Sequence, residues 1–450
     1  MARRPLTVLS LLAATVLALA SCTPGNPAEG PRTIKVAYQK TDAFTALDTM
    51  FQSAKKEFEA AHQGVTVELQ PIQANDDDYG TKLALALRSP STAPDVFYED
   101  TFKVRSDVDA GYLLNLDSRL GGWADWEKFD DAAKEAGKAD DGGTYAVPLG
   151  TDTRAIWYNK KVLQAAGVAL PWRPATWQDI LDTARKVKAS DPSVIPFNMY
   201  AGKGTGEGTV MQGFYELLYG TGASLYDQDS KKWVVGSTGF TDSLTFLKTL
   251  YSENLAVAPA DALDPNVWKK VFGEWFPQGK LGATVEGSYS PSFWQKGGSY
   301  EWPGYAEEMG VAPFPTQKGQ APGAVSMSGG WTLAVGAETK QADLAFSFLT
   351  TALNAKNSLD FTVASSQIAV RNDVAADAGY QSANPFVKDV SALVSVTHYR
   401  PATSDYPRIS AAVQEATEAV ITGSKTPEQA AADYDAAVAG IVGGEKTVRK

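Results

Sequence analysis

Apolar positions along this chain switch between two periods, and the switches mark elements. Ile34-Lys35-Val36-Ala37-Tyr38 reads as a strand, and Leu47, Met50, Phe51, Ala54, Phe58 and Ala61 follow at the spacing of one helix face. Val65-Thr66-Val67-Glu68-Leu69 alternates, Thr81 to Arg88 returns to helical spacing, and Pro94-Asp95-Val96-Phe97-Tyr98 supplies a third strand. This order predicts an α/β fold with a parallel sheet and crossover helices. Ligands of such sheets sit beyond the carboxyl ends of the strands, which places Tyr38 to Asp42 and Tyr98 to Lys103 on a binding rim. Farther on, Thr176 caps a helix that carries Trp177, Ile180, Leu181, Ala184 and Val187 on one face. Phe240 to Tyr251 is another amphipathic helix, and Ile409, Val413, Ala416 and Val420 form a further stripe. Thr426-Pro427-Glu428-Gln429 gives a capping box with proline at the first helical position. The Gly-rich stretch from Gly202 to Gly208 reads as a loop.

The first residues carry a different signal. Arg3 and Arg4 precede an apolar run from Leu6 to Ala20, too short to span a bilayer and followed by small residues. Residues 1–21 therefore read as an export signal. Leu19-Ala20-Ser21-Cys22 resembles the bacterial lipobox, in which the cysteine becomes the lipidated first residue of the mature chain. The expectation is a lipid anchor at Cys22, a flexible Pro/Gly tether over 22–32, and a location on the outer face of the cell membrane. Free secretion is the alternative.

Composition narrows the function classes. Apolar residues at 44% and aromatics at 10% describe a folded globule, and 450 residues exceed what one core usually fills, so two lobes are expected. A net charge of −11 repels phosphate backbones and anionic lipid, which argues against nucleic acid as a partner. Cys22 is the sole cysteine, so no disulfide can form within the chain and core burial must stabilise it. The two histidines, His62 and His398, cannot build a His-rich metal site. His-Glu-x-x-His, Gly-x-Ser-x-Gly and the P-loop pattern are missing. No cofactor is expected, and the chain reads as a binder rather than an enzyme. Paired carboxylates keep a secreted glycoside hydrolase open, and an aromatic, acidic cleft keeps a polyamine or peptide binder open.

Five segments carry a resemblance. They are Ala93-Pro-Asp-Val-Phe-Tyr98 with Gly111-Tyr-Leu-Leu114; Tyr145-Ala-Val-Pro148 running into Ile156-Trp-Tyr-Asn-Lys160; Pro174-Ala-Thr-Trp177; Gly279-Lys-Leu-Gly-Ala283 with Glu286-Gly-Ser-Tyr289; and Gly310-Val-Ala-Pro-Phe-Pro315 before Gly329-Gly-Trp331. In this order they resemble the extracellular solute-binding proteins of sugar ABC transporters, the maltose-binding-protein-like group. The resemblance implies a periplasmic-binding-protein-like fold of type II: two α/β lobes that close on ligand about three hinge crossings, near 149–153, 309–315 and 367–373. It gives an N-lobe of 33–149 and 313–368 and a C-lobe of 152–310 and 370–445. The implied partners are an oligosaccharide and the membrane permease subunits with their cytoplasmic ATPase, the receptor itself being a monomer.

Carried over by position, the resemblance assigns the first loop's Tyr38, Lys40 and Asp42 to a sugar site, with Tyr98, Glu99, Asp100 and Lys103 after the third strand. It adds Asp152 and Arg154 after the first crossing, Asn198, Glu286 and Tyr289 from the C-lobe, Trp331 as a stacking platform, Arg400 as a fork onto vicinal hydroxyls, and Tyr406. Maltose-binding protein has a tryptophan where Glu99 stands and an arginine where Lys103 stands, so the ligand need not be maltose. The segments Val36 to Asp42, Tyr98 to Thr101 and Gly150 to Arg154 look most like actinobacterial binders of xylobiose and related xylo-oligosaccharides. Trehalose, maltose and cellobiose binders are the nearest rivals.

Overall fold

The structure, a computed structural model, describes residues 32–450. The expected leader, Cys22 and all but the last residue of the tether lie outside the described residues.

Two sheets organise two lobes. The first has the order Val65–Gln73, Arg32–Lys40, Val96–Asp100, Trp331–Val335, Ala146–Gly150. Its first three strands run parallel, as the alternating strand and helix pattern demands, whereas Trp331–Val335 is antiparallel to both neighbours. Helix Ala46–Ala61 turns Leu47, Met50, Phe51, Ala54 and Phe58 onto this sheet. Phe51 and Phe58 are fully buried, a contribution of roughly 2 kcal/mol each. The next helix spans Asp76–Leu87 and starts earlier than its apolar stripe, because the Asn75 side chain caps the Asp78 amide at 2.8 Å.

The second sheet has the order Met309–Ala312, Arg154–Asn159, Leu281–Gly287, Ile195–Asn198. Helix Trp177–Ser190 packs Trp177, Ile180 and Leu181 against it. That helix begins on a reciprocal cap: the Asp179 amide donates to Thr176 Oγ1 at 3.2 Å, and the Thr176 amide donates to the Asp179 carboxylate at 2.9 Å. Helices Tyr406–Ile421 and Pro427–Val442 enclose a further core with Phe240 and Leu244.

The chain leaves the first sheet at Gly150 and enters the second at Arg154. The other two crossings differ from expectation. Strand Ala324–Ser328 pairs with Phe314–Pro315 and Thr397–Tyr399, and Phe314 and Val325 lie in the second lobe's core. Residues 313–328 therefore belong to the second lobe, and the crossing falls at Gly329-Gly330 instead of 309–315. Gly330 has φ +139, a conformation that side chains rarely adopt, and a Cβ there would stand 3.3 Å from the Gly150 carbonyl oxygen. At the third crossing, Val370 still lies in the first core, and Arg371 pairs with Asp125 at 3.0 Å and Asp373 at 2.8 Å. Helices Asn372–Ala375 and Ala378–Gln381 pack on Ala355–Ser365, whereas Phe386 joins the second lobe. The passage thus lies between Gln381 and Phe386 and not at 367–373, because backbone pairing of Arg371 with Phe129 and its ion pair with Asp125 hold the intervening segment to the first lobe. Thr151 ties the hinge: it exchanges backbone hydrogen bonds with Ile368 at 2.8 and 3.2 Å, and its hydroxyl meets that of Ser328 at 2.7 Å. Among the described residues no helix is long and apolar enough to cross a membrane.

Candidate functional site

The junction of the lobes collects the chemistry. Trp331 opens its strand directly opposite Asp100 and diagonal to Tyr98, so pleating puts these three side chains on one face. The Trp331 and Tyr98 rings stack at 4.3 Å with 5° between planes. Tyr98 is itself fixed from below, its carbonyl accepting the Tyr79 hydroxyl at 2.5 Å. One indole face is thereby covered, while Trp331 stays partly exposed.

Arg400, from the segment after Thr397–Tyr399, reaches across the lobes and donates Nη2 to Asp100 Oδ1 at 2.5 Å. Its Nη1 lies 3.6 Å from Glu207 Oε1, and the Tyr406 hydroxyl donates to that same oxygen at 2.5 Å. Burial opposes the Arg400 charge, but Asp100 and Glu207 outweigh it and hold the guanidinium protonated. On the hinge side, Asp152 Oδ1 accepts the Gly329 amide at 2.7 Å and pairs with Arg154 Nη1 at 2.7 Å. The Arg154 guanidinium lies 5.5 Å from the centre of the Tyr289 ring. Tyr289 donates to Glu286 at 3.2 Å and accepts from Gln212 Nε2 at 2.8 Å, and Tyr200 donates to Glu286 at 2.5 Å. Burial raises the Glu286 carboxyl and pushes the Tyr289 phenol well above its ordinary range, whereas Arg154, Tyr200 and the Gly287 amide pull Glu286 back down. Arg400 and Asp152 converge on Gly329, where an added Cβ would sit 3.6 Å from both Arg400 Nη2 and Asp152 Oδ1.

The structure therefore brings together Tyr98, Asp100, Trp331, Arg400 and Asp152, with Arg154, Glu286 and Tyr289 as a contiguous second group. Tyr406 joins the first group from behind, through Glu207, and the remaining residues assigned from the resemblance lie apart. Tyr38 is fully buried, packs on Phe51 at 4.7 Å and donates to Asp48 at 2.5 Å. Lys40 pairs with the same Asp48 at 2.9 Å. Asp42 is exposed on the rim and accepts Gln73 Nε2 at 2.9 Å. Glu99 points to the opposite face of the sheet from Trp331 and is 1% exposed. Burial, reinforced by the Asp107 side chain and the Asp100 charge, raises its carboxyl well above the usual range. Asn198 is buried and reaches Thr284 Oγ1 at 3.3 Å. Tyr406 is fully buried behind Glu207, and the Lys103 ammonium lies 5.1 Å from the Phe102 ring centre.

Sequence reasoning missed Phe102, Glu207, Gln212 and Tyr200. Glu207 sits in the Gly-rich stretch read as a loop, and Gly206, at φ +55 and ψ −127, turns the chain so that the next residue reaches Arg400 and Tyr406. No local pattern marks that delivery. Among the described residues no cluster of His, Cys, Asp and Glu could hold a metal ion.

The putative ABC transporter periplasmic-binding protein YcjN of Escherichia coli is 27% identical over 184 residues, so the match spans 39% of this chain and 40% of that protein. The diacetylchitobiose binding protein DasA of Streptomyces coelicolor is 27% identical over 278 residues, 61% of this chain and 60% of that one. The crystal structure of the GacH receptor of Streptomyces glaucescens, solved unliganded and with acarbose, superposes with a TM-score of 0.76 at 24% identity, covering 92% of this chain and 99% of that one. That likeness shows the two-lobed fold. The sequence profile of bacterial extracellular solute-binding proteins matches residues 41–358, most of the described chain. With the two lobes and the charged, aromatic junction between them, that match assigns the chain to the bacterial extracellular solute-binding proteins.

Proposed function

We propose that this protein is the receptor of a sugar ABC transporter, a binder with no catalytic step. The observation that carries this reading is Trp331, backed by Tyr98 and flanked by Asp100, Arg400 and Asp152. A neutral sugar offers apolar ring faces to an aromatic plane and hydroxyls to planar, charged hydrogen-bonding groups. That junction supplies both within one small space. Binding in the micromolar range needs about −8 kcal/mol, within reach of one or two stacked rings and several charge-assisted hydrogen bonds. The names of the relatives point the same way, since DasA is named for diacetylchitobiose and GacH was solved with acarbose.

The ligand we assign is a short oligosaccharide, first xylobiose and its xylo-oligosaccharide relatives, with trehalose, maltose and cellobiose as rivals. Sugar held on Trp331 of one lobe gains further contacts from Arg400 and Tyr289 of the other. It therefore favours the closed form by its differential affinity for that form. The closed lobes dock on the permease, whose ATPase drives release. Cys22 holds the receptor to the membrane by its lipid, and a Cys22→Ala chain is expected in the medium rather than the cell pellet.

A thermal-shift screen of xylobiose, xylotriose, maltose, trehalose, cellobiose and spermidine tests the reading. A rise with one sugar series, and no new product by chromatography after overnight incubation, is expected. Stabilisation by spermidine alone, or cleavage of xylotriose, would overturn it.

A further inference from the structure

Beside Trp331 the two lobes touch through side chains. Phe102 stands on the first-lobe loop after Val96–Asp100, yet it packs on the second-lobe core cluster that contains Tyr406. Its ring meets Tyr406 edge-on at 5.5 Å, and the Arg400 guanidinium lies 4.3 Å from its centre. Asp100, two residues earlier, binds the same guanidinium. Glu207 completes the cluster, taking the Tyr406 hydroxyl and the Ser410 hydroxyl. The Arg400 side chain is only 5% exposed, so the space here is filled.

Packing of this density leaves no passage for a pyranose ring. A saccharide lying on Trp331 has its path toward Phe102 blocked by residues from both lobes. The charged groups at that end are Asp100, opposite Trp331 in the strand pairing, and Arg400, which it binds. A terminal sugar ring carries a free hydroxyl that such groups can bind. An internal ring has a glycosidic oxygen at that place and a neighbour with nowhere to go. The neighbouring ring would have to displace packed side chains from both lobes, so discrimination is strong.

We infer that Phe102, held by Asp100, Arg400 and Tyr406, is a chain-end stop: the cleft seats one terminus of a saccharide, and Phe102 sets which end substituents it refuses. This inference rests on the sugar reading given above.

The test uses the full chain and isothermal titration with xylobiose, its p-nitrophenyl glycoside (capped at the reducing end) and its 4-O-methyl ether at the other end, with the same trio built on cellobiose and maltose. For the series that binds, one capped form is expected to lose at least tenfold relative to the free disaccharide, and the other much less. In Phe102→Ala the ratio of capped to free affinity should recover at least fivefold, whatever the absolute affinity, with Phe102→Leu between the two. Phe102→Leu and the wild-type ratio keep the test intact if Phe102→Ala does not fold. Equal binding of both capped forms by the wild type, or a penalty that persists in the variants, would overturn the stop while leaving the sugar receptor standing. No binding of any disaccharide by the wild type would overturn the sugar reading and the stop together.

Discussion

Trp331→Ala probes the platform most directly. Tyr98 covers one face of the indole at 4.3 Å, so a ligand can use only the other. One pyranose face on an indole removes roughly 70 Å² of apolar surface from water, which at about 25 cal/mol per Å² amounts to about 1.8 kcal/mol. That corresponds to a loss of about 20-fold in Kd. Trp331 is only partly buried, so removing its ring should also cost about 2 kcal/mol of stability, below the range for fully buried tryptophans. Trp331→Phe keeps a smaller plane on Tyr98 and should lose about threefold. Titration calorimetry with the sugar identified by the screen measures the affinity, and urea denaturation confirms that the variant is folded under those conditions. A Kd for Trp331→Ala within threefold of wild type in a folded protein would refute the argument, since no sugar ring could then be resting on that indole.

Three further outcomes follow from the packing. Glu216 is fully buried, and burial, only partly offset by Arg154 and a hydrogen bond from the Met327 backbone, raises its carboxyl to about 8. The folded state keeps a proton that the unfolded state releases, so this group makes stability fall as pH rises from about 4.5 to about 8. Glu216→Gln should therefore gain in melting temperature relative to wild type between pH 5 and pH 8, and a pH-independent difference would contradict the assignment. Arg371→Met removes the cation between Asp125 and Asp373; because those side chains are 40% and 37% exposed and can rehydrate, the loss should be about 2 kcal/mol by urea denaturation, below the 3–5 kcal/mol typical of fully buried pairs. Gly330→Ala forces a side chain into a conformation favoured by glycine and against the Gly150 carbonyl, so it should cost about 1–3 kcal/mol and weaken ligand binding, read by thermal denaturation and calorimetry.

Local chemistry in the sequence fixes much of the fold. The stripe from Leu47 to Phe58 needs only its own spacing to choose a helix and a buried face. The Thr176 and Thr426 caps place two helix starts to the residue, because both partners of each capping box lie within four positions. Strand and helix alternation over the first hundred residues likewise dictates parallel pairing of three strands. The α/β class and the two-lobed division follow from patterns of this short range and from chain length.

Tertiary structure decided what depends on distant partners. Tyr98 and Glu99 are neighbours with equal claim to a ligand, and which faces the junction is set by the register of Trp331–Val335, contributed from more than two hundred residues away. The boundaries at Gly329-Gly330 and after Gln381 come from strand pairing and from Arg371 reaching Asp125, neither of which leaves a mark in local sequence. Arg400 and Asp100 are separated by 300 positions and Glu207 lies between them in the chain, so only the closing of the two lobes makes them one cluster. Sequence determined the kinds of residue available to a site, since propensity and periodicity act over a few residues. Their assembly was left to long-range packing, which alone brings opposite charges and stacked rings from separate lobes into contact.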